Sequence, residues 1–195
     1  MCAWGSSTDL GGDIAIVGMA LKVPGADGVD DFWRNLSQGI ESIQPQSEED
    51  LLAAGEDPGR LAQANYVRAA ALLDKYDHFD PDFFGFGPKD AAILDPQHRK
   101  FLEVSWEALE RAGQRPERLM RSRSGVFVGI AAAEYGNWQL GGDPNRIDAH
   151  PGTGSTFSVA SGRRASVLGF EGPALAVGTW CSASLLGLLL AWPDL

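Results

Sequence analysis

The sequence predicts an α/β fold in which helices cover both faces of a largely buried sheet. Three short apolar runs carry this prediction, at positions 13–19, 125–130 and 174–177. Each run is too short for a helix, and none alternates between polar and apolar residues, which is typical of strands covered on both faces. Segments with helical periodicity separate the runs, and such a succession favours a layered α/β architecture.

Helix-capping residues mark two short helices in the first quarter of the chain. Asp30 can cap a helix that ends at Gly39. The apolar residues expected on the inner side of this helix are Phe32, Trp33 and Leu36. The sequence that starts at Ser47 resembles a capping box and predicts a second helix through Ala54.

The longest helix is predicted to start at Asp95-Pro96, a cap followed by a first-turn proline, and to end before Gly113. Its apolar stripe consists of Phe101, Leu102, Ser105, Ala108, Leu109 and Ala112. A further helix is expected over 157–168. The segment 66–94, rich in aromatic residues and turn formers, is predicted to pack irregularly on the core. Its acidic residues follow no zinc or calcium spacing, so no metal site is predicted.

Composition and charge exclude several classes of function. A length of 195 residues suffices for one core or slightly more, and the net charge of −10 argues against a nucleic-acid surface. The longest apolar run, 185–192, is too short for a bilayer span of ~20 residues, so no membrane association is expected. One of the two cysteines is interior, and no signal-peptide pattern precedes it, which favours the reducing cytoplasm.

The predicted strand at 174–177 leads to Cys181 and then to an apolar helix over 185–191, which is expected to be buried. At a helix start, unpaired amide N–H groups and the helix dipole favour the thiolate over the thiol. The thiolate is the nucleophilic form, and it can hold a covalent acyl intermediate. The residues alone leave a second interpretation open, in which Cys181 is an inert core residue.

Several short, distinct sequence blocks follow one another between positions 14 and 191. The blocks include Ile14-Ala15-Ile16-Val17-Gly18-Met19-Ala20, Asp95-Pro96-Gln97-x-Arg99, Gly125-Val126-Phe127-Val128-Gly129 and Ser161-Gly162-Arg163. In this order they resemble the N-terminal half of a β-ketoacyl synthase (ketosynthase) domain of modular type I polyketide synthases. The resemblance implies a thiolase-like fold with α-β-α-β-α layers, of which 13–191 is the N-terminal part with an incomplete sheet. Residues 1–12 are then a disordered lead-in and 192–195 a tail outside the family pattern.

The resemblance also implies a reaction, decarboxylative Claisen condensation for polyketide or fatty-acid synthesis. Cys181 would be the acyl-accepting nucleophile, and its backbone amide would be one oxyanion donor. The substrates would arrive on the phosphopantetheine arm of an acyl carrier protein, with no cofactor or metal bound directly. The complete domain would be a homodimer.

Several residues depart from the family pattern around Cys181. Gly178, Trp180 and Ala183 stand where the family usually has Asp, Ala and Ser, and Leu189 stands where it usually has His. A side chain as large as Trp180 beside the nucleophile can block the acyl tunnel or close the site to carrier-protein thioesters. Arg164 occupies a position that is usually apolar.

The two catalytic histidines of the family are not found in this sequence. They lie in a His-Gly-Thr-Gly-Thr and an Asn-x-Gly-His segment, and His78, His98 and His150 match neither. We therefore expect that this chain alone cannot complete the condensation, and that it has an unpaired strand edge and an uncovered apolar face. The alternative function is a non-catalytic acyl-binding or partner subunit of a condensing enzyme. A hydrolase is disfavoured because no Gly-x-Ser-x-Gly motif occurs.

Overall fold

A computed structural model describes residues 14–131, 134–136, 154 and 156–192, except for the side chain of Phe157. The predicted lead-in at 1–12 and residues 193–195 of the predicted tail lie outside this range, as does His150. Helices and short strands alternate along the chain. In order they are α1 Val29–Gln38, β1 Gln44–Pro45, α2 Glu48–Ala53, α3 Pro58–Leu61, β2 Ala69–Ala70, α4 Pro88–Ile93, α5 Pro96–Arg111, α6 Pro116–Leu119, β3 Val126–Gly129, α7 Phe157–Leu168, β4 Ala174–Val177, a 3-10 turn Trp180–Ser182 and α8 Ala183–Ala191.

The central unit is a βαβ arrangement formed by β3, α7 and β4. The two strands are parallel, and Val126 pairs with Ala174 and Gly129 with Val177. Helix α7 is the crossover connection between them and packs on both strands. The predicted α/β class and the positions of these three elements are confirmed. β1 and β2 form a separate antiparallel pair of two residues each.

The helix boundaries largely follow the capping residues in the sequence. The Asp95 side chain accepts a hydrogen bond from the Gln97 amide at 2.8 Å, and the Ser47 hydroxyl accepts one from the Asp50 amide at 3.0 Å. Helix α1 begins differently, because its N-cap is Gly28 and Asp30 lies within the first turn. At this position the Asp30 carboxylate interacts favourably with the positive end of the helix dipole, but it does not cap the helix.

The core lies where α7 packs on β3 and β4 and also contacts α5. Leu94 and Leu102, each 1% exposed, are its most buried large residues. Trp106 extends this packing to the aromatic segment, because its ring meets Phe83 edge-on with 4.8 Å between centroids. The predicted packing of 66–94 is therefore seen around Phe83, but most residues of the segment are exposed, and β2 and α4 give it more regular structure than expected.

The apolar run at 14–19 does not form the predicted strand. No strand is assigned there, and the Ile16 side chain is 80% exposed. A strand needs a neighbouring strand for its ladder of hydrogen bonds, and no described residue pairs with this run. The prediction that it is covered on both faces is wrong for the described structure.

Two predicted inner faces are also exposed. On α1, Trp33 is 69% exposed, whereas Asn35 is buried and donates a hydrogen bond to the Gly25 carbonyl at 2.7 Å. On α8, Leu185 is 72% exposed, and the buried residues are Ala183 and Gly187. The predicted burial of the α8 leucines is wrong here, and the expected uncovered apolar face is present. Within the described ranges, no helix has the length and apolar character needed to cross a bilayer.

Candidate functional site

Cys181 lies in a tight turn beyond the carboxyl end of β4. The strand ends at Val177, the 3-10 turn Trp180–Ser182 follows after two residues, and α8 continues directly from it. The thiol is free and exposed, so Cys181 is not the inert core residue of the second interpretation. In open α/β sheets, ligands bind outside the carboxyl ends of parallel strands, which is where Cys181 lies.

Small residues allow α8 to rest directly on β3. A β-carbon added to Gly129 would lie 2.7 Å from the Ser184 nitrogen, so only a glycine fits between the strand and the helix start. One helical turn further, a β-carbon on Gly187 would lie 3.9 Å from the Gly129 nitrogen. This contact fixes the first turns of α8, and with them Cys181, against the end of β3.

Hydrogen bonds between Thr179 and Ser182 hold the turn. The Ser182 hydroxyl lies 2.9 Å from the Thr179 carbonyl oxygen, to which it donates, and 3.0 Å from the Thr179 hydroxyl. The Ala183 amide donates to the Trp180 carbonyl. In the part of the chain that the structure describes, no hydrogen bond involves the Cys181 amide. This N–H group therefore remains available next to the exposed thiol.

Trp180 has an unusual backbone conformation immediately before Cys181. Its φ is 54°, in the left-handed region, and its side chain is 70% exposed. For a bulky aromatic residue this conformation is a genuine outlier, with a typical cost of about 1–3 kcal/mol. This strained residue lies directly before Cys181 in the chain.

The two described histidines belong to other parts of the fold. His78 is exposed in the aromatic segment, where its Nε2 lies 3.9 Å from an Asp77 carboxylate oxygen. His98 is buried in the first turn of α5, and neither ring nitrogen has a hydrogen-bond partner among the described residues. Burial lowers the pKa of His98, Asp95 partly opposes this effect, and Arg163 adds to it. Neither histidine hydrogen-bonds to the Cys181 turn within those residues.

No metal centre was found in the described part of the chain. No three of its His, Cys, Asp or Glu residues are grouped so that they could hold a metal ion. The same is true of the acidic segment between 74 and 82.

Arg164 is a buried charged residue for which the sequence predicts no role. Arg164, on α7, is 3% exposed and donates a hydrogen bond to the Leu102 carbonyl at 3.4 Å. The sequence shows only that an arginine occupies a usually apolar position. The packing around it becomes visible only in three dimensions.

Comparisons with known proteins identify the class. The family described as "Beta-ketoacyl synthase, N-terminal domain" matches residues 12–195. Mycoketide-CoA synthase of Mycobacterium tuberculosis is 44% identical over 182 residues, which cover 91% of this chain and 4% of that protein. Erythronolide synthase EryA3 of Saccharopolyspora erythraea is 42% identical over 186 residues, which cover 95% of this chain and 6% of that protein.

Solved structures show the same similarity. A ketosynthase from module 6 of the bacillaene synthase of Bacillus subtilis 168 superposes with a TM-score of 0.75 and 33% identity, over 93% of this chain and 28% of that chain. Ketosynthase twelve of the bacillaene polyketide synthase of Bacillus amyloliquefaciens gives a TM-score of 0.80 and 32% identity, over 92% of this chain and 32% of that chain.

The fold is therefore that of a thiolase-like polyketide ketosynthase, seen in part. The chain belongs to the β-ketoacyl synthase family and contains the N-terminal domain of that family. This confirms the resemblance that the sequence blocks indicated. The chain spans only 4% and 6% of the two curated relatives named above.

Proposed function

We propose that this chain is the N-terminal part of a β-ketoacyl-[acyl-carrier-protein] synthase, an acyltransferase that acts in polyketide or fatty-acid synthesis. Cys181 is its acyl-accepting nucleophile. The observation that carries this proposal is the exposed, free thiol of Cys181 at the start of α8, beyond the carboxyl end of β4. A thiol in this place is accessible to a thioester, and the thiolate of a cysteine is its nucleophilic form.

The proposed step is a transthioesterification. The Cys181 thiolate adds to the carbonyl carbon of an acyl thioester, and the carbonyl oxygen becomes an oxyanion. The Cys181 amide, which has no partner among the described residues, donates a hydrogen bond to that oxyanion. The bond between the carbonyl carbon and the phosphopantetheine sulfur then breaks, the departing thiolate takes up a proton, and the acyl group stays on Cys181.

The later steps need groups that the described site does not supply. Decarboxylation of a malonyl-type extender and attack of its carbanion depend on general acid-base and oxyanion-stabilising groups. His78 and His98 lie outside the Cys181 turn, so we infer that the isolated chain stops at the acyl-enzyme. We further propose an acyl carrier protein as partner, a homodimer for the complete domain, and a cytoplasmic location.

A second candidate function is a non-catalytic acyl-binding or partner subunit. The strained, exposed Trp180 directly before Cys181 favours this candidate, because its indole can obstruct a thioester that approaches the thiol. Leu189, on the exposed face of α8, contributes no polar group. In this alternative, the acyl group is bound without transfer to Cys181.

Mass spectrometry of the acylated protein separates the two functions. The 195-residue chain is incubated with a hexanoyl-pantetheine thioester, and its intact mass is measured. We expect one added hexanoyl group, placed on Cys181 by peptide mapping, in the native chain and in the Cys2→Ala control. The Cys181→Ala variant should gain no mass, and acylation of that variant would refute the nucleophile assignment.

The Trp180→Ala variant completes the comparison. If Trp180 only slows access, this variant acylates faster than the native chain. If neither the native chain nor Trp180→Ala acquires the acyl mass, while both still bind the acyl ligand, the partner-subunit function is correct.

A further inference from the structure

A cavity of about 370 Å³ lies between α5, the start of β3 and the extended residues 17–18. Its walls are mainly apolar and include Val104, Ala108, Leu109 and Phe127. This volume falls at the lower end of the ~300–1,000 Å³ of small-molecule sites. The cavity is open on one side, so a small amphipathic molecule can enter without a rearrangement of the core.

One of the residues that line the cavity is Arg164, which is buried and positively charged. Its single hydrogen bond within the described residues is the one from Nη1 to the Leu102 carbonyl, at 3.4 Å. No carboxylate among those residues forms an ion pair with it. Burial lowers the pKa of Arg164 to about 10, so the side chain is still charged at neutral pH. A buried charge without a partner is costly, and an anion in the cavity would compensate it.

The cavity is separate from the Cys181 site. Gly125, Val126 and Phe127 place it at the amino end of β3. Cys181 lies beyond the carboxyl end of the neighbouring parallel strand. Four strand residues span about 13 Å, so a ligand in the cavity does not occupy the position of the thiol.

We propose that this cavity binds an aliphatic carboxylate of medium chain length. The carboxylate pairs with the guanidinium of Arg164, which presents donors in a fork that matches carboxylate geometry. The alkyl chain lies against Val104, Ala108 and Leu109 of α5. The charge of Arg164 selects an acid over a neutral molecule of the same length, and the apolar walls select an alkyl chain over a small polar anion. This proposal is independent of the acyl transfer to Cys181.

Calorimetric titration of the full chain tests the proposal, with decanoate and decanol as probes. We expect saturable one-to-one binding of decanoate, and binding of decanol that is at least about tenfold weaker, a difference of ~1.4 kcal/mol. In the Arg164→Leu variant the two affinities should become equal. The Arg118→Leu variant removes an exposed arginine on α6 and should keep the preference of the native chain.

Two further variants keep the test decisive if Arg164→Leu fails to fold. Arg164→Lys retains the charge and should retain a preference for decanoate. Ala108→Leu occupies the cavity from α5 and should weaken the binding of both probes. The proposal is overturned if the native chain does not bind decanoate, if Arg164→Leu keeps the tenfold preference, or if Ala108→Leu binds both probes as the native chain does.

Discussion

A β-carbon on Gly129 would lie 2.7 Å from the carbonyl carbon of Ala183, so the end of β3 and the start of α8 touch through their backbones. This contact connects the sheet to the turn that holds Cys181. It also explains why the buried positions of α8 are Ala183 and Gly187, while its leucines point outward. The position of the thiol therefore depends on the absence of a side chain at Gly129.

Gly129→Ala is expected to destabilise the protein and displace Cys181. The new methyl group meets the backbone of α8 and cannot move aside, and overpacking of this kind typically costs ~1–3 kcal/mol. We expect urea denaturation to show that the free energy of unfolding falls by an amount in this range. The rate of Cys181 alkylation should also change.

Gly162→Ala is the matched control for that substitution. Gly162 lies inside α7 with nothing within 4 Å of an added β-carbon. Alanine is the better helix former, so we expect a gain of about 0.5–1 kcal/mol in the free energy of unfolding. If both variants lose stability equally, the backbone contact at Gly129 is not the cause.

Trp180→Gly is expected to stabilise the protein. Glycine adopts the left-handed conformation without steric cost, and the mostly exposed indole contributes little packing. We expect the free energy of unfolding to rise by about 1 kcal/mol. Removing the strain of the left-handed residue stabilises the fold, and the greater backbone entropy that glycine loses on folding offsets part of this gain. Trp33→Gly, at an equally exposed position within α1, should instead lower it by ~0.5–1 kcal/mol. A loss of stability in Trp180→Gly would contradict the interpretation that the backbone of Trp180 is strained.

Arg164→Met is expected to raise stability at neutral pH. Burial lowers the Arg164 pKa from the ordinary guanidinium value to about 10, which corresponds to a cost of roughly 3 kcal/mol for the buried charge. Methionine removes that cost but also removes the long hydrogen bond to Leu102. We therefore expect the free energy of unfolding, measured by denaturation in guanidinium chloride, to rise by about 2 kcal/mol.

The pH dependence of this gain follows from the direction of the pKa shift. Above about pH 10 the folded native protein loses the Arg164 proton before the unfolded chain does. The folded native protein then no longer carries the cost of a buried charge, so the difference in the free energy of unfolding between Arg164→Met and the native chain should shrink. The exposed Arg118→Met control should stay within about 0.5 kcal/mol of the native chain. An equal gain in both variants would rule out burial as the cause.

His98→Gln is expected to flatten the pH dependence of stability on the acid side. Burial lowers the pKa of His98 in the folded state, so the unfolded chain takes up this proton first as the pH falls below 6.5. Stability should therefore fall with decreasing pH, by up to ~1.4 kcal/mol per pH unit for one proton. The exposed His78→Gln variant should retain this slope. If His98→Gln has the same slope as the native chain, another group is responsible.

Local signals predicted most of the fold. The proline and caps of α5, the capping serine of α2 and the three elements of the βαβ unit occur within one or two residues of the expected positions, because each is determined by neighbours in sequence. The exposed thiol of Cys181 also lies at the predicted helix start.

Burial was predicted less well, because it depends on what covers a face. Periodicity shows that Trp33 and Leu185 lie on apolar faces, but not whether another layer lies over them. The run at 14–19 needs a pairing strand that its own residues cannot specify. The Arg164 cavity arises from three elements that are distant in sequence, so a single unusual residue was its only sign.

The parallel pairing of β3 with β4 has a consequence for synthesis on the ribosome. Val126 pairs with Ala174, 48 positions later, and translation at 5–20 residues per second needs about 2–10 s to make that interval. During this time β3 has neither its sheet partner nor α8 to cover it, while α5 has already been synthesised in full. The nascent chain thus passes through an interval in which a bare apolar strand can bind a chaperone or another chain before its own partner exists.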